Sequence, residues 1–210
     1  MHILSLALIA LLNITSLADP QPKPAAAALN KKAIALAVRP ASQVAKKDVA
    51  IRVLKILDSA TAVDPAYYNA YLNKTGSLLE LNRTQDALAN LYHAIQMQPG
   101  TIMAYARAGH IIEYIMGSKV KAMPYYKKAY HLSIAKFKKQ GRKELQDDLD
   151  IAYTLAFYKD RASSAAYLKS IEKYYTKDST SMYSINMFEQ LVKVPFTFTA
   201  VKNSLSTYLP

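Results

Sequence analysis

Cysteine and tryptophan are absent from the 210 residues, and glycine occurs only five times. Without cysteine the chain can build neither a disulfide framework nor a thiolate zinc site. So little glycine excludes a collagen-like repeat, and no G-x-G-x-x-G or G-x-x-x-x-G-K-[ST] loop is present to cradle a phosphate. The four histidines are His2, His93, His110 and His131. No two of them stand four apart, so a metal would find no paired ligands on a helix face. Acids are also scarce, 15 against 27 Lys and Arg, which leaves a net charge of +12. No catalytic group, metal or cofactor is therefore expected. Glu144, Asp147, Asp148 and Asp150 could be imagined as a catalytic pair. Their place at the start of an expected helix gives a plainer reason, because negative charge there meets the positive end of the helix dipole.

Long hydrophobic runs are missing too. The longest, Ile3 to Leu12, is interrupted only by Ser5 and falls short of the roughly 20 residues that span a bilayer. It fits the core of a signal peptide, residues 1–18, with Ser16-Leu17-Ala18 placing small residues where a signal peptidase cuts. The n-region holds no Lys or Arg. The expectation is an exported protein, periplasmic or secreted, cleaved after Ala18 and with no transmembrane span in the mature chain. The leader carries no charged side chain, so the whole positive excess stays on the mature protein and favours anionic partners. Export makes nucleic acid the least favoured of these. Residues 19–24 alternate proline with other residues and read as a stiff extended spacer.

What the chain does contain is a spaced pattern, small or Val, large apolar, then small. It occurs as Val53, Leu57, Ala60, as Ala87, Leu91, Ala94, and as Ala122, Tyr126, Ala129. The copies stand 34 and 35 residues apart, and Pro65 and Pro99 close the first two. A period of this size marks stacked helical hairpins, each too small to bury its own apolar face. Helices are expected over 25–38, stopped by Pro40, and over 43–62. Met182 to Val194 reads as an amphipathic helix, with Ile185, Phe188, Leu191 and Val192 on one side. An exposed terminal repeat needs a cap, and this helix would supply it, with Phe196 and Phe198 tucked onto it.

From Tyr68 to Thr101 the residues resemble one complete tetratricopeptide repeat: Tyr71 near its start, a first helix through Leu81, a turn at Asn82-Arg83, then Ala87, Leu91, Ala94 and Pro99. Ile102 opens a second repeat with Tyr105, Ala108, Gly109 and Ile112. Its turn, Met116-Gly117-Ser118, carries one extra residue. A degenerate unit follows, with Ile151, Ala152 and Leu155 in its first helix and Ser164, Leu168 and Ile171 in its second. The eight residues 137–144 precede it as an insertion. The resemblance implies an all-α fold, a short right-handed solenoid of antiparallel helix pairs over 25–180. Its best repeats are 68–101 and 102–136, and 181–210 form a capping helix and tail.

The resemblance also implies a concave groove lined by the first helix of each pair. Its candidate binding residues are Asn73, Arg107, His110, Tyr114 and Tyr153, awaiting a protein or peptide partner. Asn73 and Arg107 match part of the clamp by which some repeats of this family hold a terminal carboxylate. The clamp's further lysine is replaced by Met103. A second candidate is a basic patch. Between Glu113 and Glu144 there are nine Lys or Arg and no acid, with Lys136, Lys138, Lys139, Arg142 and Lys143 at its densest end. The leading expectation is a non-catalytic binding scaffold working through the groove. The alternative is a basic adaptor to an anionic envelope surface or polymer through residues 119–143.

Overall fold

The computed structural model describes residues 21–37 and 43–193. The leader, the start of the spacer, Pro40, Phe196 and Phe198 lie outside the described residues. Within them the chain is all-helical: α1 (Pro24–Ala37), α2 (Gln43–Val63), α3 (Tyr68–Glu80), α4 (Thr84–Met97), α5 (Ile102–His110), α6 (Lys119–Gln140), α7 (Leu145–Tyr158), α8 (Arg161–Ile171) and α9 (Ser179–Lys193). Each helix packs on the next in sequence, and α9 also packs on α7.

Short connections force consecutive helices into hairpins. Asn82, at φ +58°, makes the sharp turn between α3 and α4, a left-handed conformation that asparagine tolerates better than most residues. Ser118 caps α6 by accepting from the Lys121 amide, and Asp160 caps α8 by accepting from the Ser163 amide at 2.6 Å. Each satisfies a backbone donor that a helix start leaves free. The spacer ends earlier than its prolines suggest, because Pro24 is the first residue of α1, a position that suits its fixed φ and missing N–H. The Lys23 amide donates to Asp64 Oδ2 at 2.9 Å and so ties the start of α1 to the end of α2.

All nine residues of the repeated pattern are in the core, none more than 1 % exposed. They sit on the second helix of each hairpin, α2, α4 and α6, where their spacing of four and three puts them on one face. Gly109 shows how close the helices come: a Cβ there would lie 2.4 Å from the Tyr126 ring. From α9, Ile185, Phe188 and Val192 are buried, while the side chain of Leu191 lies outside the description.

The two irregularities in the period have different structural outcomes. The extra residue of the second repeat is in its first helix rather than in its turn. After the nine residues of α5 come five more, Ile111–Ile115, wound as a π-helical turn, the form a helix takes when it absorbs one added residue. The eight-residue insertion mostly lengthens α6, which has 22 residues against 14 in α4. Gly141, at φ +72°, then ends it.

Candidate functional site

The candidate groove residues come together, but inside the protein. Asn73, Arg107 and His110 are at most 3 % exposed and Tyr153 is buried; Tyr114 is half-buried. Asn73 on α3 donates from Nδ2 to Asn30 Oδ1 on α1 at 2.9 Å. Arg107 on α5 donates from Nη1 to the Leu72 carbonyl on α3 at 3.0 Å. The Tyr153 hydroxyl on α7 lies 3.4 Å from His110 Nδ1 on α5. Successive first helices are thus joined side by side through polar bonds. Asn73 and Arg107 occupy equivalent places one repeat apart and do equivalent work.

His110 is the centre of an aromatic cluster. Its ring centroid lies 4.2 Å from Phe157, 5.6 Å from Tyr126, 5.7 Å from Tyr153 and 6.4 Å from Tyr114. Burial, reinforced by the Arg107 charge, holds its pKa down to about 3, so the imidazole is neutral at every physiological pH. Tyr114 is pushed up to about 12, by burial first and then by the charge of Glu113. Neither ring is poised for proton transfer near neutrality.

The basic patch divides in two. Lys136 Nζ is 2.8 Å from Asp147 Oδ1 and 3.6 Å from Asp150 Oδ2, with only 14 % of its side chain exposed. Burial works against its charge, but the bond to Asp147 and the nearby Asp150 outweigh that and raise its pKa. Arg142 forks onto Asp148, from Nε at 2.7 Å and Nη2 at 3.2 Å, and its guanidinium lies 3.7 Å from the centroid of the Tyr174 ring. By contrast Lys138, Lys139 and Lys143 are exposed and make no ion pair among the described residues.

The acids of α7 therefore do more than face a helix dipole. Asp148, fully buried, accepts from Arg142, from the Tyr167 hydroxyl at 2.6 Å and from the Tyr175 hydroxyl at 2.8 Å. Two of these partners lie far down the chain, which is why the sequence reading missed the cluster; tyrosines at 167 and 175 carry no local sign of an acid. Asp150 accepts from Gln146 at 2.8 Å, and burial pushes its pKa up to about 6 despite that bond.

The remaining cations form a surface. Lys121, Lys127, Lys128, Lys138 and Lys139 are exposed on α6 together with His131, on the side opposite Ala122, Tyr126, Ala129 and Ser133. No acid interrupts α6. From Lys121 to Lys139 this face is about 27 Å long at 1.5 Å per residue. Among the described residues no group of three or more His, Asp or Glu could hold a metal ion. No helix among them is long and apolar enough to cross a membrane.

No family model matches the chain, and no curated protein matches it.

Proposed function

We propose that this chain is a non-catalytic binding scaffold, and that its recognition surface is the cationic outer face of α6. One observation carries the choice. Asn73, Arg107, His110 and Tyr153 are buried and bonded within the protein, whereas Lys121, Lys127, Lys128, Lys138 and Lys139 of α6 are exposed and make no ion pair among the described residues. Cations at a helix C-terminus are ordinarily explained by the dipole, yet Lys119 and Lys121 stand in the first turn of α6, where the dipole disfavours them. An anionic surface or polymer outside the protein gives these charges a use. Of the acids that might have worked as a catalytic pair, Asp147, Asp148 and Asp150 serve instead as partners of Lys136, Arg142 and two tyrosines.

A right-handed solenoid of the tetratricopeptide type is the reading of the architecture that goes with this. Hairpin follows hairpin, and the bonds between α1, α3, α5 and α7 run from each first helix to the next. A second reading keeps a protein or peptide along that row of helices. Tyr114, half-buried near the end of the π-helical turn, favours it as a contact residue. Export, with a mature chain beginning at Asp19, rests on the leader sequence and is checked by sequencing the protein's N-terminus from fractionated cells.

The deciding measurement is the salt dependence of binding to an anionic polymer such as polyglutamate and to anionic vesicles. Exposed charges a Debye length apart are screened, about 10 Å at 0.1 M salt, so binding should fall steeply as salt rises. A chain that ignores both ligands at low salt removes α6 as the recognition surface and returns it to the row of first helices.

A further inference from the structure

The cationic face of α6 has an apolar tip. Val120 is 86 % exposed and Met116, in the turn before the helix, 46 %, and both belong to the few large apolar residues that the described chain leaves in water. Lys119 and Lys121 flank Val120 and are themselves exposed. At 100° per residue Val120 lies on the same side of the helix as Lys127, His131 and Lys138. Nothing in the packing demands a β-branched residue here, since the buried stripe of α6 runs through Ala122 and Tyr126 on its opposite side.

We propose that α6 docks this protein on an anionic lipid bilayer. Met116 and Val120 enter the headgroup region, and the lysines along the helix meet the lipid phosphates. The proposal rests on the assignment of α6 as the recognition surface and names the partner.

Three features separate a bilayer from other anions. The lysines are spread along one face of the helix, with no arginine fork or buried polar group among them. That arrangement suits a fluid sheet of charge and holds no single phosphate in place. A protein partner would need a well-packed anchor near the middle of the contact. The middle of this face instead presents Pro124, Lys128, His131 and Ala135, all exposed, with the apolar residues at one end. A soluble polyanion or a nucleic acid would leave Val120 and Met116 without a role. An apolar tip bordered by lysines gains from both the interface and the charge of an anionic membrane.

The test is sedimentation of the full chain with phosphatidylcholine vesicles, with and without phosphatidylglycerol. Pure phosphatidylcholine gives the background binding of the rest of the chain. Phosphatidylglycerol should raise the bound fraction, and high salt should abolish the increment. Lys127, Lys128, Lys138 and Lys139 changed together to Gln should cut the increment at least tenfold, since each lysine near an anionic surface contributes a factor of about five. Val120→Ser, which keeps every charge, should cut it several-fold. That variant should leave binding to polyglutamate and to a DNA duplex unchanged. If the parent binds those soluble polyanions but gains nothing from phosphatidylglycerol, the bilayer is overturned and the cationic surface stands. If it binds neither, both fall. Val120→Ser sedimenting like the parent overturns the insertion of the tip.

Discussion

Lys136 and Lys138 stand two residues apart on one helix and lead opposite lives. Lys136 is folded under α6 against Asp147 and Asp150, whereas Lys138 is in solvent with no ion pair among the described residues. Two residues on a helix are 200° of rotation, enough to carry a side chain from the interface with α7 to the open face. The same division runs through the whole basic stretch. Cations turned inward have lost water and must be paired, so they hold the fold together. Those turned outward cost little, stabilise little and remain available to a partner. A run of positive residues is thus two things at once, and the helix phase separates them.

The largest expected effect lies on the inward side. Asp148 is fully buried and holds three residues that come from the loop before α7, from α8 and from the segment after it. Asp148→Ala leaves Arg142 and two tyrosine hydroxyls without their acceptor. Breaking one side of such a pair costs about 3 to 5 kcal/mol, and the thermal midpoint should fall by about 10 °C. A melt by circular dichroism that matches the parent would show that the inward charges are as dispensable as the outward ones, and the comparison would collapse.

Next in size is the pH response of Asp150. In the folded chain it keeps its proton up to about pH 6, against 3.8 for an ordinary aspartate. Its folded pKa is raised, so its contribution to stability is complete below about pH 4 and is lost as pH climbs through about 6. Asp150→Asn has no proton to lose and can still accept from Gln146. Relative to the parent it should gain stability between pH 4 and 7, by no more than about 3 kcal/mol at 1.4 kcal/mol per unit. Urea unfolding of both chains at the two ends of that range gives the difference. His110 works in the other direction, since its lowered pKa costs stability as pH falls below its ordinary 6.5; that term is common to both chains and cancels.

Gly109→Ala sharpens the comparison within the core. The added methyl would meet the Tyr126 ring at 2.4 Å, and overpacking of this kind costs about 1 to 3 kcal/mol. Chemical denaturation measures it directly. An unchanged midpoint would mean that α5 and α6 approach each other less closely than described.

How far the sequence anticipated all this follows from the range of the interactions. The small-large-small pattern is local: its spacing fixes one helix face, and every residue of it, from Val53 to Ala129, is in the core. The equivalence of Asn73 and Arg107 was legible from their separation of 34 residues. Their burial was not, because whether a face is covered depends on the rest of the fold. The π-helical turn was visible as one surplus residue, but only packing decides whether a helix or its turn takes it up. The stripe Ala122, Tyr126, Ala129, Ser133 continues three residues on to Lys136, a phase from which its inward position could have been read, although it was grouped with the basic patch. Nothing comparable pointed from Asp148 to Tyr167 and Tyr175, which meet it only once α8 and the segment after it have folded back.

The smallest effect on stability is expected on the outward side, and the argument for it depends on where the lysines are. Lys127, Lys128, Lys138 and Lys139 are exposed, none forms an ion pair among the described residues, and no acid stands on their helix. Replacing all four by Gln therefore removes no bond, leaves good helix formers in place and relieves like-charge repulsion along the helix. The thermal midpoint should stay within about 2 °C of the parent, as for other surface changes away from special features, and any shift should be upward at low salt. Raising the salt should shrink the gap between the two chains, because it screens the repulsion that only the parent has. A fall comparable to that of Asp148→Ala would place these lysines among the charges that hold the fold, and the outer face of α6 would no longer be a surface kept free for a partner.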